Sequence, residues 1–126
     1  MIFGIGTDIV RVVRMQQDLD RFGDKFAARI LTEGELKEFH ASANRANFLA
    51  RRFAAKEAAA KAMGTGFSQG VLLTNIEVTH DANGKPLLEF HGQALRYLRD
   101  HGVTKTHISL ADEQDHAVAF VTLEAG

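Results

Sequence analysis

Three charged residues in this chain are spaced so that they could act together: Asp8, Glu57 and Lys61. Glu57 and Lys61 are four apart within the run from Phe48 to Gly66, FLARRFAAKEAAAKAMGTG. On a helix that spacing puts them one turn from each other on a single face. A solvated Glu–Lys pair supporting its own helix is the plain account of the spacing. Asp8 is the more unusual of the three, a carboxylate among Ile5, Ile9 and Val10 in an apolar run from Ile2 to Val10. Burying a carboxylate without a partner is costly, so Asp8 needs one. It could cap the helix that follows, pair with an arginine such as Arg11, or hold a hard cation.

Other groups that could do chemistry carry weaker signals. The chain has six histidines, but no two fall at i,i+4 on a helix, and no serine stands in a nucleophile-elbow pattern. His107, on an expected strand, is retained as a candidate ligand contact. Gly4 and Gly6 do not make a dinucleotide fingerprint, because the third glycine of that motif is missing. Arg14 and Arg21 are seven apart on an expected helix and so lie nearly one above the other. They form either a solvated face or a docking strip for an acidic partner, which would act mostly through association rate and salt dependence.

The elements that must position these residues follow from patterning. Ile2–Val10 reads as a buried strand whose glycines mark close backbone approach. Val10 to Phe22 predicts a helix, with Val12, Val13, Leu19 and Phe22 for packing, broken at Gly23. Asp24 to Ile30 predicts a short helix, and Thr32-x-x-Glu35 is a capping box opening another through about His40. Ala41 to Asn47 is a polar link into the long central helix, where five of the seven residues from Ala54 to Ala60 are alanine. Alanine keeps that helix thin, so backbone or a ligand can come close; Gly64 and Gly66 end it. Phe67 to Leu73 is a loop. Strands at Asn75–His80 and Leu87–Phe90 flank an Asn-Gly turn at 81–86, with Pro86 opening the returning strand. Gln93–His101 is an amphipathic helix ended by Gly102, and Thr106–Ala111 and His116–Leu123 are strands joined by residues 112–115. Hairpins packed on helices predict an α+β fold, a largely antiparallel sheet against the long central helix.

Composition narrows the class. With 126 residues, 45% hydrophobic and 25% charged, the chain has room for one core and is expected to form one domain, residues 1–126. A formal charge of −1 does not suggest bulk nucleic-acid affinity. The absence of cysteine fits a reducing cytoplasm, and no apolar run approaches the roughly 20 residues of a membrane helix. A soluble, cytoplasmic domain is the expectation.

GIGTDIV near the start, RFAAKEAAAKAMGTG in the middle and NGKP in the hairpin, at these separations, resemble the holo-[acyl-carrier-protein] synthases. These are the short, single-domain branch of the 4′-phosphopantetheinyl transferases, and the likeness covers essentially the whole chain. It implies transfer of the 4′-phosphopantetheine arm of coenzyme A to a serine of an acyl carrier protein, releasing adenosine 3′,5′-bisphosphate. It implies Mg²⁺ on Asp8 and Glu57, with Lys61 neutralising the phosphate that develops charge. The serine proton goes either to a metal-bound hydroxide or to Glu57. Arg52 matches a basic position near the nucleotide phosphates, and nearby Arg45 is a candidate to assist it. The turns Gly64-Thr65-Gly66 and Asn83-Gly84-Lys85-Pro86 are expected to offer backbone amides to the adenosine end of coenzyme A. Arg14 and Arg21 match positions that meet the acidic recognition helix of the carrier. Members usually form a homotrimer with the active site between subunits. Asp112-Glu113 departs from relatives with His-Thr at this corner, so a ligand contact there is not carried over.

Two other readings compete. One is a different metal-dependent nucleotide phosphotransferase or hydrolase using Asp8 and Glu57 without a carrier protein. The other is a binding module in which Glu57–Lys61 is a plain salt bridge and Asp8 a helix cap. Only the transferase needs metal carboxylates, an Arg14/Arg21 strip and a phosphate cradle together.

Overall fold

The structure, a computed structural model, describes residues 1–126. Its centre is the helix α4, Arg45–Met63, thirteen of whose nineteen residues are buried. It begins three residues before Phe48, because the Asn44 side chain accepts from the Asn47 amide and caps a turn inside the expected link. It ends on Gly64 in the left-handed conformation, where the Gly64 and Gly66 amides donate to Lys61 O and Ala60 O.

A strand, β1 (Ile2–Arg11), lies directly on α4. The contact is so close that a Cβ at Gly6 would stand 1.9 Å from Ala58 O, and one at Gly4 1.8 Å from Ala62 O. What approaches the thin alanine helix is therefore the backbone of β1, and glycine is required at both positions. The same contact corrects the expectation of a strand buried on both faces. Gly6 and Val10 face α4, whereas Ile5 and Ile9 on the other face are 55% and 63% exposed. An aliphatic run mimics two-sided burial, but only alternate residues of a strand share a face.

Helices α1 (Val12–Phe22), α2 (Asp24–Ile30) and α3 (Glu33–Ala41) follow. The start of α1 is later than expected because pairing of β1 holds Val10 and Arg11 extended. Met15 is its fully buried residue, with Val12 and Leu19 packed beside it, whereas Val13 and Phe22 stay exposed. The Thr32 capping box at α3 forms as read, from Glu35 N to Thr32 Oγ1 and from Thr32 N to Glu35 Oε1. After a 3₁₀ turn at Leu73–Asn75 come β2 (Ile76–His80), β3 (Pro86–Phe90), α5 (Gly92–Asp100), β4 (Val103–Asp112) and β5 (His116–Ala125). All strand pairs are antiparallel, as expected, but they divide into a three-stranded sheet β1-β5-β4 and a two-stranded sheet β2-β3. One contiguous core runs from α4 to the inner faces of these sheets.

Candidate active site

The β1–α4 contact brings together the three residues that sequence spacing singled out, with a different pairing. Lys61 Nζ donates to Asp8 Oδ1 and to Thr7 O, both at 3.1 Å, and does not pair with Glu57. The reason is geometric. Side chains on a helix lean toward its N-terminus, and the Gly4–Ala62 and Gly6–Ala58 contacts run β1 antiparallel to α4. Asp8, two residues past Gly6 on the same face, then lies beside the turn toward which Lys61 leans. This answers the question of Asp8's protein partner: neither Arg11 nor a helix cap is used, and α1 has no side-chain cap at all.

Glu57 is half-buried and unpaired beside this ion pair. Burial pushes its pKa up, and the Asp8 carboxylate pushes it further, against the opposing pull of Lys61 and Arg14. Two carboxylates near enough to repel are the donor set of a hard cation. Magnesium typically takes one or two protein carboxylates and completes its shell with phosphate oxygens and water. Asp8 and Glu57 fit that demand, and Lys61 supplies an ammonium at the rim, with its side chain 51% exposed. A second group of metal-ligating atoms, on Glu77, Glu89 and His91, lies within 4.8 Å of one another on and just beyond the β2–β3 hairpin. Glu77 is already bonded to His91 Nε2 and to Thr32 Oγ1, which leaves Glu89 as the group's one carboxylate without a protein partner.

Arg14 is exposed on α1, with its guanidinium 5.5 Å above the Phe53 ring, and Arg21 is exposed and covers Phe22. Both therefore lie on one accessible helix face. Arg45 closes the α3–α4 corner by donating to His40 O and covering Phe39. Arg52 is buried against Phe48, 3.6 Å from Glu38, and its Nε and Nη1 have no hydrogen-bond partner. Burial pulls its pKa below the usual arginine value. Two unpaired buried donors are costly, and their burial keeps them out of reach of a ligand arriving from solvent, against the expectation that Arg52 meets the nucleotide phosphates directly.

The two glycine-containing turns differ from expectation. The Gly64 and Gly66 amides are spent on α4 carbonyls. In the 81–86 turn, Asp81 takes the amides of Asn83 and Lys85 on its carboxylate and that of Gly84 on its carbonyl. The first turn thus uses two of its three amides on itself, and the second uses those of Asn83, Gly84 and Lys85. What 83–86 presents instead is side chains. Lys85, Pro86 and His107 meet in a cleft of about 350 Å³ between β3 and β4, completed by Thr79, Leu87, Leu88, Glu89, Thr106 and Ile108. His107 Nε2 lies 2.8 Å from Glu124 Oε2, which draws the glutamate's pKa down. The threonines of this cleft were not read from sequence, since nothing marks Thr79 and Thr106 as neighbours until β3 packs on β4.

Asp8 and the cleft stand at opposite edges of the fold, because β1 and β4 are the two edges of the sheet and β5 lies between them. Within one chain the Asp8–Glu57 pair and the Lys85–His107 cleft do not meet. The outer face between these edges carries Ile5, Ile9, Val118 and Phe120, all exposed and adjacent through the Ile9–Val118 and Thr7–Phe120 pairs.

Comparison with known proteins agrees with this architecture. Residues 4–121 match the model of the 4′-phosphopantetheinyl transferase superfamily. The chain is 56% identical, over 126 residues and the full length of both proteins, to a holo-[acyl-carrier-protein] synthase of Halorhodospira halophila. It is 49% identical over 124 residues, 98% of each chain, to that of Vibrio cholerae. Among solved structures, holo-[acyl-carrier-protein] synthase from Neisseria meningitidis superposes with a TM-score of 0.92 at 48% identity, covering 98% of this chain and 99% of that one. The Bacillus anthracis enzyme, solved in complex with CoA (3′,5′-ADP), gives 0.83 at 38% identity, covering 100% and 99%. This chain belongs to the 4′-phosphopantetheinyl transferase superfamily.

Proposed function

We propose that this protein is a holo-[acyl-carrier-protein] synthase. It transfers the 4′-phosphopantetheine arm of coenzyme A to a serine of apo acyl carrier protein, and adenosine 3′,5′-bisphosphate leaves. The observation that carries the reading is the meeting of Asp8, Glu57 and Lys61 at the β1–α4 contact. Full-length relatives of that name support it, as does a solved relative holding CoA (3′,5′-ADP).

In this reaction the serine oxygen attacks the β-phosphorus of the pyrophosphate, and the bond to the bridging oxygen breaks. Little covalent chemistry is asked of the enzyme; positioning and charge neutralisation carry the rate. Magnesium, held by Asp8 and Glu57, supplies neutralisation of the pyrophosphate. Glu57, the half-buried carboxylate beside Asp8, is placed to accept the serine proton. The Lys61 ammonium faces the departing phosphate and gives it charge or a proton. Lys85, Pro86 and His107 receive the adenosine end, with Arg52 adding positive charge from beneath the α4 surface.

Arg14 and Arg21 dock the acidic carrier, which brings its serine toward Glu57; the influence of Arg14 on Glu57 fits this route. The exposed Ile5–Ile9–Val118–Phe120 face supports self-association as a homotrimer, in which a neighbour's cleft completes the Asp8–Glu57 half-site. No helix is long and apolar enough to cross a membrane. The proposed place of the reaction is the cytoplasm, in the service of fatty acid biosynthesis.

Chromatography of adenosine 3′,5′-bisphosphate from coenzyme A tests the reading. Release should require apo carrier protein. Release without carrier would identify a nucleotide hydrolase using the same carboxylates.

A further inference from the structure

Lys56 and Glu35 form a buried ion pair that the chemistry above does not use. Their side chains are 0% and 1% exposed, and Nζ lies 2.7 Å from Glu35 Oε1. Nζ also donates to Leu73 O at 3.1 Å and to Ile76 O, so all its protons are used on three different segments. The carboxylate is equally committed: Oε1 accepts from Thr32 N and Oε2 from Val78 N, both at 3.0 Å. One point thus joins α4, the start of α3, the 3₁₀ turn and β2.

A buried pair of this kind adds little net stability compared with apolar residues of the same volume, because desolvation offsets the attraction. What it adds is direction. Methylene groups pack in many registers, whereas five hydrogen bonds to named backbone and carboxyl atoms are satisfied in one. That register is set between α4, where Lys56 is followed immediately by Glu57, and β2. Strand β2 in turn fixes β3 through the His80–Pro86 and Thr79–Leu87 pairs, and both Pro86 and Leu87 line the cleft. We propose that Glu35 and Lys56 are positioning residues for coenzyme A, holding the Lys85–Pro86–His107 cleft in register with the helix that carries Glu57 and Lys61. The proposal rests on the transferase reading. It extends to an assembly, since each copy presents both half-sites and their relative placement decides whether neighbours complete one another.

The test is the double variant Glu35→Leu/Lys56→Met, which removes both charges together and fills the space with apolar side chains. Thermal melting and circular dichroism establish the fold, and kinetics are measured against coenzyme A with carrier saturating. The expected result is a native-like fold, a KM for coenzyme A raised about tenfold, and a kcat within about threefold of the parent, since displacement away from the reacting atoms acts first on binding geometry. Glu35→Gln, which keeps the shape, should raise KM in the same direction by less, and it decides the matter if the double variant fails to fold. An unchanged KM in either folded variant, whatever the melting temperature, would overturn the proposal. Parent protein that neither binds nor turns over coenzyme A would instead overturn the functional reading on which it rests.

Discussion

Lys56 and Glu57 are consecutive on α4 and stand under opposite conditions. Lys56 points into the core, where burial drives its pKa down and Glu35 drives it back up, and every proton it carries is spoken for. Glu57 points to the rim beside β1, half-buried, without a salt-bridge partner and repelled by Asp8. One charge is satisfied at the cost of freedom, and the other is kept available at the cost of stability. A helix thinned to alanine can serve both, because its polar residues are separated by faces that β1 and the core approach as backbone and methyl groups. The difference teaches where to look for chemistry: in the group whose electrostatics are left unfinished.

Removing each charge in turn breaks the comparison most severely. Lys56→Met alone strands the Glu35 carboxylate in the core and should cost about 3–5 kcal/mol of stability, read by denaturant melts. Glu57→Gln should leave folding intact and lower kcat by about 10²–10³-fold, the scale of losing one preorganised group at a reacting phosphate. Turnover near the parent's would remove Glu57 from the mechanism. Arg14→Glu, on the exposed face of α1, should raise KM for the carrier about tenfold and flatten its salt dependence while leaving coenzyme A affinity unchanged. Equal loss of both affinities would mean that the face does not dock the carrier.

The smallest effect is on stability against pH. The Glu57 pKa is raised on folding, so between the ordinary value, near 4.5, and the raised one the native state binds more protons than the unfolded state. Stability therefore falls as pH rises through that window, and the penalty is complete above it. Glu57→Gln should melt slightly above the parent at pH 7, with the advantage gone below the window. A lower melting temperature for the variant at pH 7 would show Glu57 to be a satisfied structural group.

Much of this was legible in the chain. The alanine run and the glycines of GIGTD announce a close backbone contact, and the order of helices and hairpins follows from caps, breakers and alternation. Asp8 stood out because an aliphatic strand does not carry a carboxylate without reason. Its partner was not legible: Lys61 reads as the mate of Glu57 at i,i+4, and only the antiparallel run of β1 along α4 hands it to Asp8. Glu35 was visible as a capping-box glutamate, yet Lys56, 21 residues away in sequence, and the Val78 amide on its second oxygen, 43 residues away, were not. Which amides of the two turns close on the protein was not legible for a related reason. A turn motif in sequence does not say whether its donors face outward or, as around Asp81, close on themselves.

The central claim is that Asp8 and Glu57 support metal-assisted transfer of phosphopantetheine to a carrier serine. The most direct test is intact-mass analysis of an apo acyl carrier protein incubated with this protein, coenzyme A and magnesium, beside a matched reaction containing a chelator. The account predicts a gain of about 340 Da, the phosphopantetheine arm, that the chelator abolishes. A gain that survives the chelator would contradict the metal role of Asp8 and Glu57, and no gain with several carriers would contradict the transferase itself.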